Sequence, residues 1–426
     1  MERFKVIDGL TPAALKGGAT RRFAGRLVPM VGLLFLAVAS LAVAQKPRAT
    51  AKPVAKPVAT LVRTRGHVLG ARPLAMYYYS PDSRGLKSLE EHASQMSLIA
   101  PQSFWVDGEG FVQGEVPSGI LETARRAKVA VMPLLVNPGF DRGAASALLR
   151  SPKAQQRAVA YLAYFAKRDN FVGWQFDLEY IDPADKNLYT QFVRRAAARL
   201  HRDSRLLSIA VVPRFSDLYP DTDPAREFHS GEWAAPYDFR ALGRVVDFMT
   251  LMTYDHHGSN NPPGPMAGYD WVKAALDYAT RRVPCGKIVL GIPFYGREWI
   301  ESGGATQART LTFADAQSRM QQMSAERFWD DRWRAPWFQY RDGSGLHTAW
   351  YEDGRSLEAK LELMRSYRLR GFAAWRLGFE DPAFWTLSSA SGGSGRVQPQ
   401  RRSQRHKTRS VSRGETTSRQ LAPGKQ

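Results

Sequence analysis

Three polar residues, Gln175, Asp177 and Glu179, lie at alternate positions of an otherwise apolar run. Successive side chains of a β-strand point to opposite faces, so these three share one face, while Phe176 and Leu178 take the other. Burying a carboxylate is costly unless the group is paired or functional. Paired carboxylates can donate a proton, accept one or stabilise a positive charge. The run therefore indicates an active site, with a purely structural hydrogen-bonded network as the alternative.

The strand that carries these residues is one of eight short apolar runs that alternate with amphipathic stretches between residues 73 and 390. Eight strand–helix units predict an α/β fold, a parallel (β/α)8 TIM barrel, whose usual size is about 250 residues plus insertions. A doubly wound open sheet is the alternative, but no glycine-rich phosphate loop follows the first strand. The predicted strands are 74–79, 98–106, 129–136, 171–180, 206–212, 245–254, 287–293 and 371–377.

Amphipathic patterns place helices between these strands. One helix is predicted over 152–168, where Ser151 is a suitable N-cap and Pro152 takes the first helical position. Another is predicted over 185–201, where apolar residues recur every four positions. The longest gap, 297–353, is rich in Trp, Tyr, Asp and Gly, and it predicts a small insertion between the seventh and eighth strands. In such a barrel the chemistry lies at the C-terminal ends of the strands.

The fourth strand resembles a signature of glycoside hydrolase family 18, the chitinase-like family. That signature reads D-G-x-D-x-D-x-E, and residues 172–179 lie on it. Four motifs in the family's order extend the resemblance over essentially all of residues 73–390. The other three resemble the strand-six M-x-Y-D motif, the strand-seven signature and the strand-eight tryptophan segment: Leu251–Asp255, Gly291–Arg297, and Gly371–Trp375 with Gly378, Glu380 and Asp381.

The resemblance implies a mechanism in which the substrate supplies the nucleophile. The N-acetyl oxygen of the sugar attacks C1 while Glu179, which matches the family's proton donor, protonates the leaving oxygen. Asp177 would orient the acetamide and stabilise the positive oxazolinium ion that forms. Tyr254 would donate a hydrogen bond to the acetamide oxygen. We expect neither a metal ion nor a cofactor.

Four further residues are expected to bind substrate. Trp375 would form the apolar floor beneath the sugar in subsite −1, and Asp255 would contact sugar hydroxyls. Gln175 and Met252 complete the expected substrate-binding set, from the fourth and sixth strands. For Trp375 and Tyr254, ordinary core packing is the alternative, because aromatic side chains carry much of the packing in any core.

The fourth strand departs from the family's pattern at two positions. The first Asp of the signature is Val172 here, and the middle Asp is Gln175. In the family the middle Asp shares a proton with the next carboxylate. An amide can hydrogen-bond Asp177 but cannot take its proton. We therefore expect the rate and the pH profile to differ from the family's pattern, although the acid itself is present.

Positive charge is concentrated at the two ends of the chain. The formal charge is +20, of which residues 1–72 contribute +11 and residues 394–426 contribute +8, so the body is nearly neutral. This distribution argues against a folded nucleic-acid-binding domain. The uncharged run 27–44 follows three arginines and ends in Ala-Val-Ala, which predicts a secretory signal peptide, with an uncleaved signal anchor as the alternative. Both place the body outside the cytoplasm, as a secreted, periplasmic or envelope-associated protein.

Residues 45–72 contain a KPVA repeat and predict an extended spacer. Residues 391–426 are rich in Ser, Gly, Arg and Gln and predict a disordered basic tail. The tail could bind an anionic wall polymer, lipid headgroups or nucleic acid, but a solvated tail with no dedicated partner is the interpretation that we favour. Cys285 is the single cysteine, so neither an internal disulfide nor a thiolate zinc site is available.

These features predict an exported monomeric glycosidase. Its substrate would be a β-linked N-acetylglucosamine polymer such as chitin or peptidoglycan, with an N-glycan core also open, and its mechanism substrate-assisted and retaining. The second hypothesis is a catalytically silent chitin- or wall-binding barrel. Glu179 and Tyr254 argue against it, whereas Val172 and Gln175 leave room for it. A surface protein that uses the barrel as a scaffold for its basic tail is the third.

Overall fold

The computed structural model describes residue 69 and residues 73–217, 231–302 and 304–391. The predicted signal segment, nearly all of the spacer and the tail beyond its first residue lie outside this part of the chain. The strands are β1 (Leu74–Tyr79), β2 (Leu98–Val106), β3 (Val112–Gly114), β4 (Ala130–Val131), β5 (Leu134–Val136), β6 (Gly173–Asp177), β7 (Leu206–Val211), β8 (Phe248–Leu251), β9 (Ile288–Pro293), β10 (Gly296–Ser302), β11 (Ala305–Leu311), β12 (Arg327–Asp330), β13 (Ala335–Asp342), β14 (Gly345–Trp350) and β15 (Gly371–Trp375). The helices are α1 (Ser83–His92), α2 (Ser118–Ala127), α3 (Arg142–Arg150), α4 (Pro152–Arg168), α5 (Lys186–Arg202), α6 (Phe239–Gly243), α7 (Tyr269–Thr280), α8 (Phe313–Met323), α9 (Gly354–Ser366) and α10 (Phe384–Ser391).

Eight parallel strands form a closed barrel, which confirms the predicted fold. Around the barrel they follow the order β1, β15, β9, β8, β7, β6, β5 and β2. Strand β1 closes the ring because it pairs with β15, where Met76 aligns with Ala373, and also with β2, where Met76 aligns with Leu98. Among the described helices, none combines the length and the apolar character that crossing a bilayer requires.

Alternate side chains of β1 belong to two separate cores. Leu74, Met76 and Tyr78 lie in one cluster with residues of the other barrel strands, which is the barrel interior. Tyr77 and Tyr79 lie in the larger cluster, which includes apolar residues of the surrounding helices. Burying a side chain of this size typically stabilises a fold by about 1.5–3 kcal/mol. The period-two pattern therefore determines which residues can enter the barrel and reach its open end.

The third barrel strand is interrupted, which differs from the continuous strand predicted over 129–136. Strand β4 ends at Val131 and β5 begins at Leu134. Pro133 lies between them and has no backbone N–H with which to continue a ladder. Its carbonyl still accepts a hydrogen bond from the backbone N–H of Gln175, at 3.0 Å. The strand resumes for only three residues, and Asn137 follows it.

Helix α4 begins as its capping residues predict. The hydroxyl of Ser151 accepts a hydrogen bond from the backbone N–H of Ala154 at 3.2 Å, and Pro152 is the first helical residue. Proline is tolerated there because the first N–H groups of a helix have no partner within the helix. Helix α5 extends one residue further than its predicted end at residue 201. Helix ends of this kind commonly differ by one or two residues.

The insertion between the seventh and eighth barrel strands is a small α+β unit. Strands β10–β14 form an antiparallel sheet in the order β11, β10, β14, β13 and β12. Ala316 and Met320 of α8 pack with Phe338 and Ala349 of this sheet. The sheet occupies residues 296–350, so the residues predicted as an insertion fold as a separate layer beside the barrel.

Candidate active site

Side chains from three barrel strands, and one from the segment after a fourth strand, lie at the C-terminal end of the barrel. Strand β1 carries Tyr78, β6 carries Gln175 and Asp177, and β15 carries Trp375, whereas Tyr254 lies in the segment after β8. The rings of Tyr78 and Trp375 are 5.2 Å apart. A separate cavity of about 880 Å³ is lined by residues of the insertion, α9 and α10. None of the predicted site residues lines this cavity. The candidate site is therefore the group of side chains at the C-terminal end of the barrel.

Gln175 is fully buried and contacts Tyr78 rather than Asp177. Its amide nitrogen donates a hydrogen bond to the hydroxyl of Tyr78 at 2.7 Å. Its amide oxygen and Oδ1 of Asp177 are both buried and have no hydrogen-bond partner among the described residues. The hydrogen bond to Asp177 that the sequence allows for Gln175 is therefore not formed. The carboxylate of Asp177 keeps its hydrogen-bonding capacity for another partner.

Asp177 and Glu179 form an acidic pair in which both pKa values are raised. Burial raises the pKa of Asp177, which is only 5% exposed. Burial also raises the pKa of Glu179 well above its usual range, and the negative charges of Asp177 and Asp255 raise it further. Desolvation and neighbouring like charges both disfavour an ionised carboxylate. The pair therefore holds a proton at a pH where isolated carboxylates are ionised, which is the requirement for a general acid.

Two side chains form hydrogen bonds with the backbone at and directly before Glu179. Glu179 lies two residues beyond the end of β6. The side-chain amide of Asn137 accepts a hydrogen bond from the N–H of Glu179 and donates one to its carbonyl, both at 3.0 Å. The hydroxyl of Tyr237 donates to the carbonyl of Leu178 at 2.8 Å. Neither residue was predicted from the sequence, although Asn137 is a polar residue directly after a barrel strand, which is a position that could have indicated it.

The M-x-Y-D segment provides a phenol and a carboxylate near this pair. Tyr254 is half-buried, and burial raises the pKa of its phenol well above the usual range, with further contributions from Tyr78 and Asp177. The phenol therefore stays protonated and can donate a hydrogen bond. Met252, which was predicted to bind substrate, is 6% exposed, and its N–H donates to the carbonyl of Val211.

Asp255 has two protein partners that the sequence analysis did not assign to it. Its Oδ1 accepts hydrogen bonds from the hydroxyl of Tyr295 at 2.7 Å and from Nη2 of Arg297 at 3.1 Å. The side chain is still 39% exposed, and both bonds use the same oxygen. The second oxygen is therefore compatible with the predicted contact to a sugar hydroxyl.

The indole ring of Trp233 lies beside Glu179, and that of Trp375 lies beside Tyr78. Trp375 ends β15 and is only partly buried, so one region of its ring surface stays accessible. The N–H of Trp233 tends to lower the pKa of Glu179, against the effect of burial. No hydrogen bond of normal geometry joins that buried N–H to a described residue. Trp233 was not predicted as a site residue, because it lies in a loop without strand or helix periodicity.

The described residues contain no group of three or more His, Cys, Asp or Glu that could hold a metal ion.

Comparison with known protein families identifies the family of the chain, and with it the chemistry of the acidic pair. The sequence model of glycosyl hydrolases family 18 matches residues 123–380, which is more than half of the chain. The chain belongs to glycosyl hydrolase family 18. It is a glycosidase.

Two relatives in Bacillus subtilis show how far the similarity extends. The uncharacterized glycosylase YvbX is 26% identical to this family 18 chain over 328 residues, covering 76% of the chain and 92% of YvbX. The cortical fragment-lytic enzyme is 32% identical over 273 residues, covering 63% of the chain and 61% of that enzyme. More than a third of the cortical fragment-lytic enzyme is therefore outside the match.

Solved structures of family 18 proteins resemble the described barrel. The spore cortex-lytic enzyme SleL of Bacillus megaterium is 26% identical with a TM-score of 0.68, covering 75% of this chain and 74% of that one. A chitinase from Chromobacterium violaceum is 29% identical with a TM-score of 0.68, covering 76% of this chain and 100% of that one. These similarities agree with the closed barrel and with a glycosidase.

Proposed function

We propose that this family 18 glycosidase hydrolyses β-linked N-acetylglucosamine polymers with retention of configuration, using the N-acetyl group of the substrate as nucleophile. The observation that carries the proposal is the acidic pair of Asp177, which is buried, and Glu179, which is partly buried, because burial raises the pKa values of both. One member of such a pair can hold a proton while the other stabilises positive charge. Family membership supports the same division of roles.

In the first step Glu179 is the general acid. The acetamide oxygen of the sugar bound in subsite −1 forms a bond to C1, and the bond between C1 and the glycosidic oxygen breaks. The proton of Glu179 goes to the leaving oxygen. Asp177 stabilises the positive oxazolinium ion, and its buried Oδ1 is available to accept a hydrogen bond from the acetamide N–H. Tyr254 donates a hydrogen bond to the acetamide oxygen.

In the second step Glu179 is the general base. Its carboxylate takes a proton from a water molecule, whose oxygen forms a bond to C1. The bond between C1 and the acetamide oxygen breaks, which restores the N-acetyl group and the protonated Glu179. Two successive displacements at C1 leave the anomeric configuration unchanged. Trp375, whose ring is only partly buried, provides the apolar surface against which the sugar packs.

Peptidoglycan and chitin are the two substrate classes that we propose to compare. The names of the cortical fragment-lytic enzyme and of SleL support a wall glycan, and the similarity to a bacterial chitinase supports chitin. Digestion of purified peptidoglycan and of colloidal chitin, with mass spectrometry of the soluble products, distinguishes them. Retention is measured by anomer analysis of the first product, and an inverted product would contradict the mechanism.

A glycan-binding barrel without activity is the second candidate, and Gln175 is the observation that favours it. The residue that shares a proton with the neighbouring carboxylate in the family is an amide here, and this amide is bonded to Tyr78. Sedimentation with chitin and with peptidoglycan, without release of sugar from a chromogenic di-N-acetylchitobioside, would support this candidate. Sugar release that Glu179→Gln abolishes would refute it.

We also propose that the protein is exported. The uncharged run 27–44, which follows three arginines and ends in Ala-Val-Ala, supports this proposal. N-terminal sequencing of the exported protein is expected to give a mature start near Gln45. Exported protein that still begins at Met1 would instead indicate a membrane anchor. Protein confined to the cytoplasm would refute export in either form.

A further inference from the structure

Asn137 is a buried amide that uses its hydrogen-bonding groups on the backbone. It is 1% exposed and directly follows β5. Its Oδ1 accepts from the N–H of Glu179 and its Nδ2 donates to the carbonyl of Glu179, both at 3.0 Å. Nδ2 also donates to the carbonyl of Asp141 at 3.1 Å. An amide can donate two hydrogens, and both are used here.

These bonds replace a strand pairing that has ended. The register of β5 and β6 aligns Val136 with Asp177, which is the last aligned pair of that ladder. Two residues later the backbone of Glu179 would have no neighbouring strand to pair with. The side-chain amide of Asn137 has the same donor and acceptor as a peptide group, so it continues the pairing beyond the strand.

The next residue shows why the backbone of Glu179 needs this support. Tyr180 has a φ of +52°, so the chain turns through the left-handed region directly after Glu179. A non-glycine residue in that region costs energy, which the surrounding contacts must offset. With its N–H and its carbonyl both held, the backbone of Glu179 has little freedom to rotate. The direction in which its side chain leaves the backbone is then fixed.

We propose that Asn137 is a positioning residue for this glycosidase, and that it holds the carboxyl of Glu179 within reach of the glycosidic oxygen. The inference rests on the proposed role of Glu179 as general acid. A displacement of about 1 Å in a reacting group can reduce a rate on the order of 100-fold. The alternative is that Asn137 only satisfies buried backbone groups and thereby stabilises the fold. The two roles predict different dependence on the leaving group.

The test compares two substrates of Asn137→Ala. A chito-oligosaccharide needs its leaving oxygen protonated, whereas a 2,4-dinitrophenyl chitobioside has a leaving group that departs without a proton. We expect kcat/KM to fall by about 10–100-fold on the oligosaccharide and to change little on the dinitrophenyl glycoside. Asn137→Asp serves as the second variant if the alanine variant does not fold. It keeps the shape and the acceptor oxygen but loses the N–H donor, so it should show the same selective loss. Equal losses on both substrates would overturn the proposal.

Gln155→Ala is the matched control. Gln155 is also a buried amide whose nitrogen donates to a backbone carbonyl, that of Leu149, but it joins α3 and α4 outside the strand ends. It should lower the melting temperature without any selectivity between the two substrates. In a Glu179→Gln background, Asn137→Ala should cause no further loss of rate and no change in oligosaccharide affinity. A wild-type protein inactive on both substrates would refute the proposed function itself.

Discussion

Gln175 donates its amide hydrogen bond to the hydroxyl of Tyr78, 2.7 Å away, although Asp177 lies only two residues further along the same strand. Tyr78 comes from β1, which is not a neighbour of β6 in the barrel. The bond therefore crosses the barrel interior. It fixes the amide against the first strand and leaves Oδ1 of Asp177 without a hydrogen-bond partner among the described residues.

This geometry leads to a prediction for Gln175→Asp. The new carboxylate can accept a hydrogen bond from Tyr78, so the contact across the barrel is kept with the roles reversed. A second negative charge beside Asp177 disfavours ionisation of the acidic pair and raises its pKa. The basic limb of the profile of kcat/KM against pH should therefore move to higher pH. Gln175→Ala is the control: it should show no upward shift, because it adds no charge, and should lower the stability by about 1–3 kcal/mol.

Glu179→Gln should abolish hydrolysis while the protein still folds and binds glycan. The two side chains have nearly the same shape, but an amide cannot supply the proton that the leaving oxygen needs. Loss of a general acid typically costs a factor of about 10²–10⁴ in rate. Rates on a chito-oligosaccharide, together with calorimetric affinity, check the prediction. Glu122→Gln, an exposed change on α2, is the matched control, and full activity of the Glu179 variant would contradict the mechanism.

The pH profile should respond to the charge of Asp255. Burial contributes most to the raised pKa of Glu179, and the negative charges of Asp177 and Asp255 contribute further. Asp255→Asn removes one of these charges and leaves Arg297 without its ion-pair partner, and both changes favour ionised Glu179. The basic limb of kcat/KM should therefore move to lower pH. Asp203→Asn, an exposed change at the end of α5, should leave the limb in place. A shift to higher pH for Asp255→Asn would contradict the assignment.

Asp177→Asn should stabilise the fold at neutral and alkaline pH while it removes activity. The pKa of Asp177 is raised in the folded protein, so the unfolded chain releases this proton at lower pH than the folded chain. The contribution of this carboxyl group to stability is therefore greatest at low pH, and it is lost as the pH rises from the ordinary carboxylate range through the raised pKa. An amide does not titrate and avoids that loss. Thermal melts should show a higher melting temperature than wild type at pH 8, with the difference vanishing near pH 4.

The sequence predicted the barrel because each strand carries its own apolar run, and it predicted the acidic pair because the two carboxylates are two residues apart. It did not predict that β6 ends at Asp177, since the end of a ladder depends on the partner strand. The roles of Asn137 and Tyr78 were missed for a related reason. Tyr78 contacts the fourth strand, and Asn137 contacts the segment directly after it. Each does so from a distant part of the sequence, and only the register of the barrel brings them there.

Pairing of β1 with β15 delays closure of the barrel until nearly all of the barrel chain has been synthesised. Leu74 aligns with Gly371, and at a synthesis rate of about 5–20 residues per second the interval between them takes roughly 15–60 s. During that time β1 presents an unpaired row of backbone N–H and C=O groups, which can pair with other chains. Contacts between residues so far apart in sequence also form slowly. A chain that stops before β15 would keep two open edges, on β1 and β9, and would be prone to aggregate.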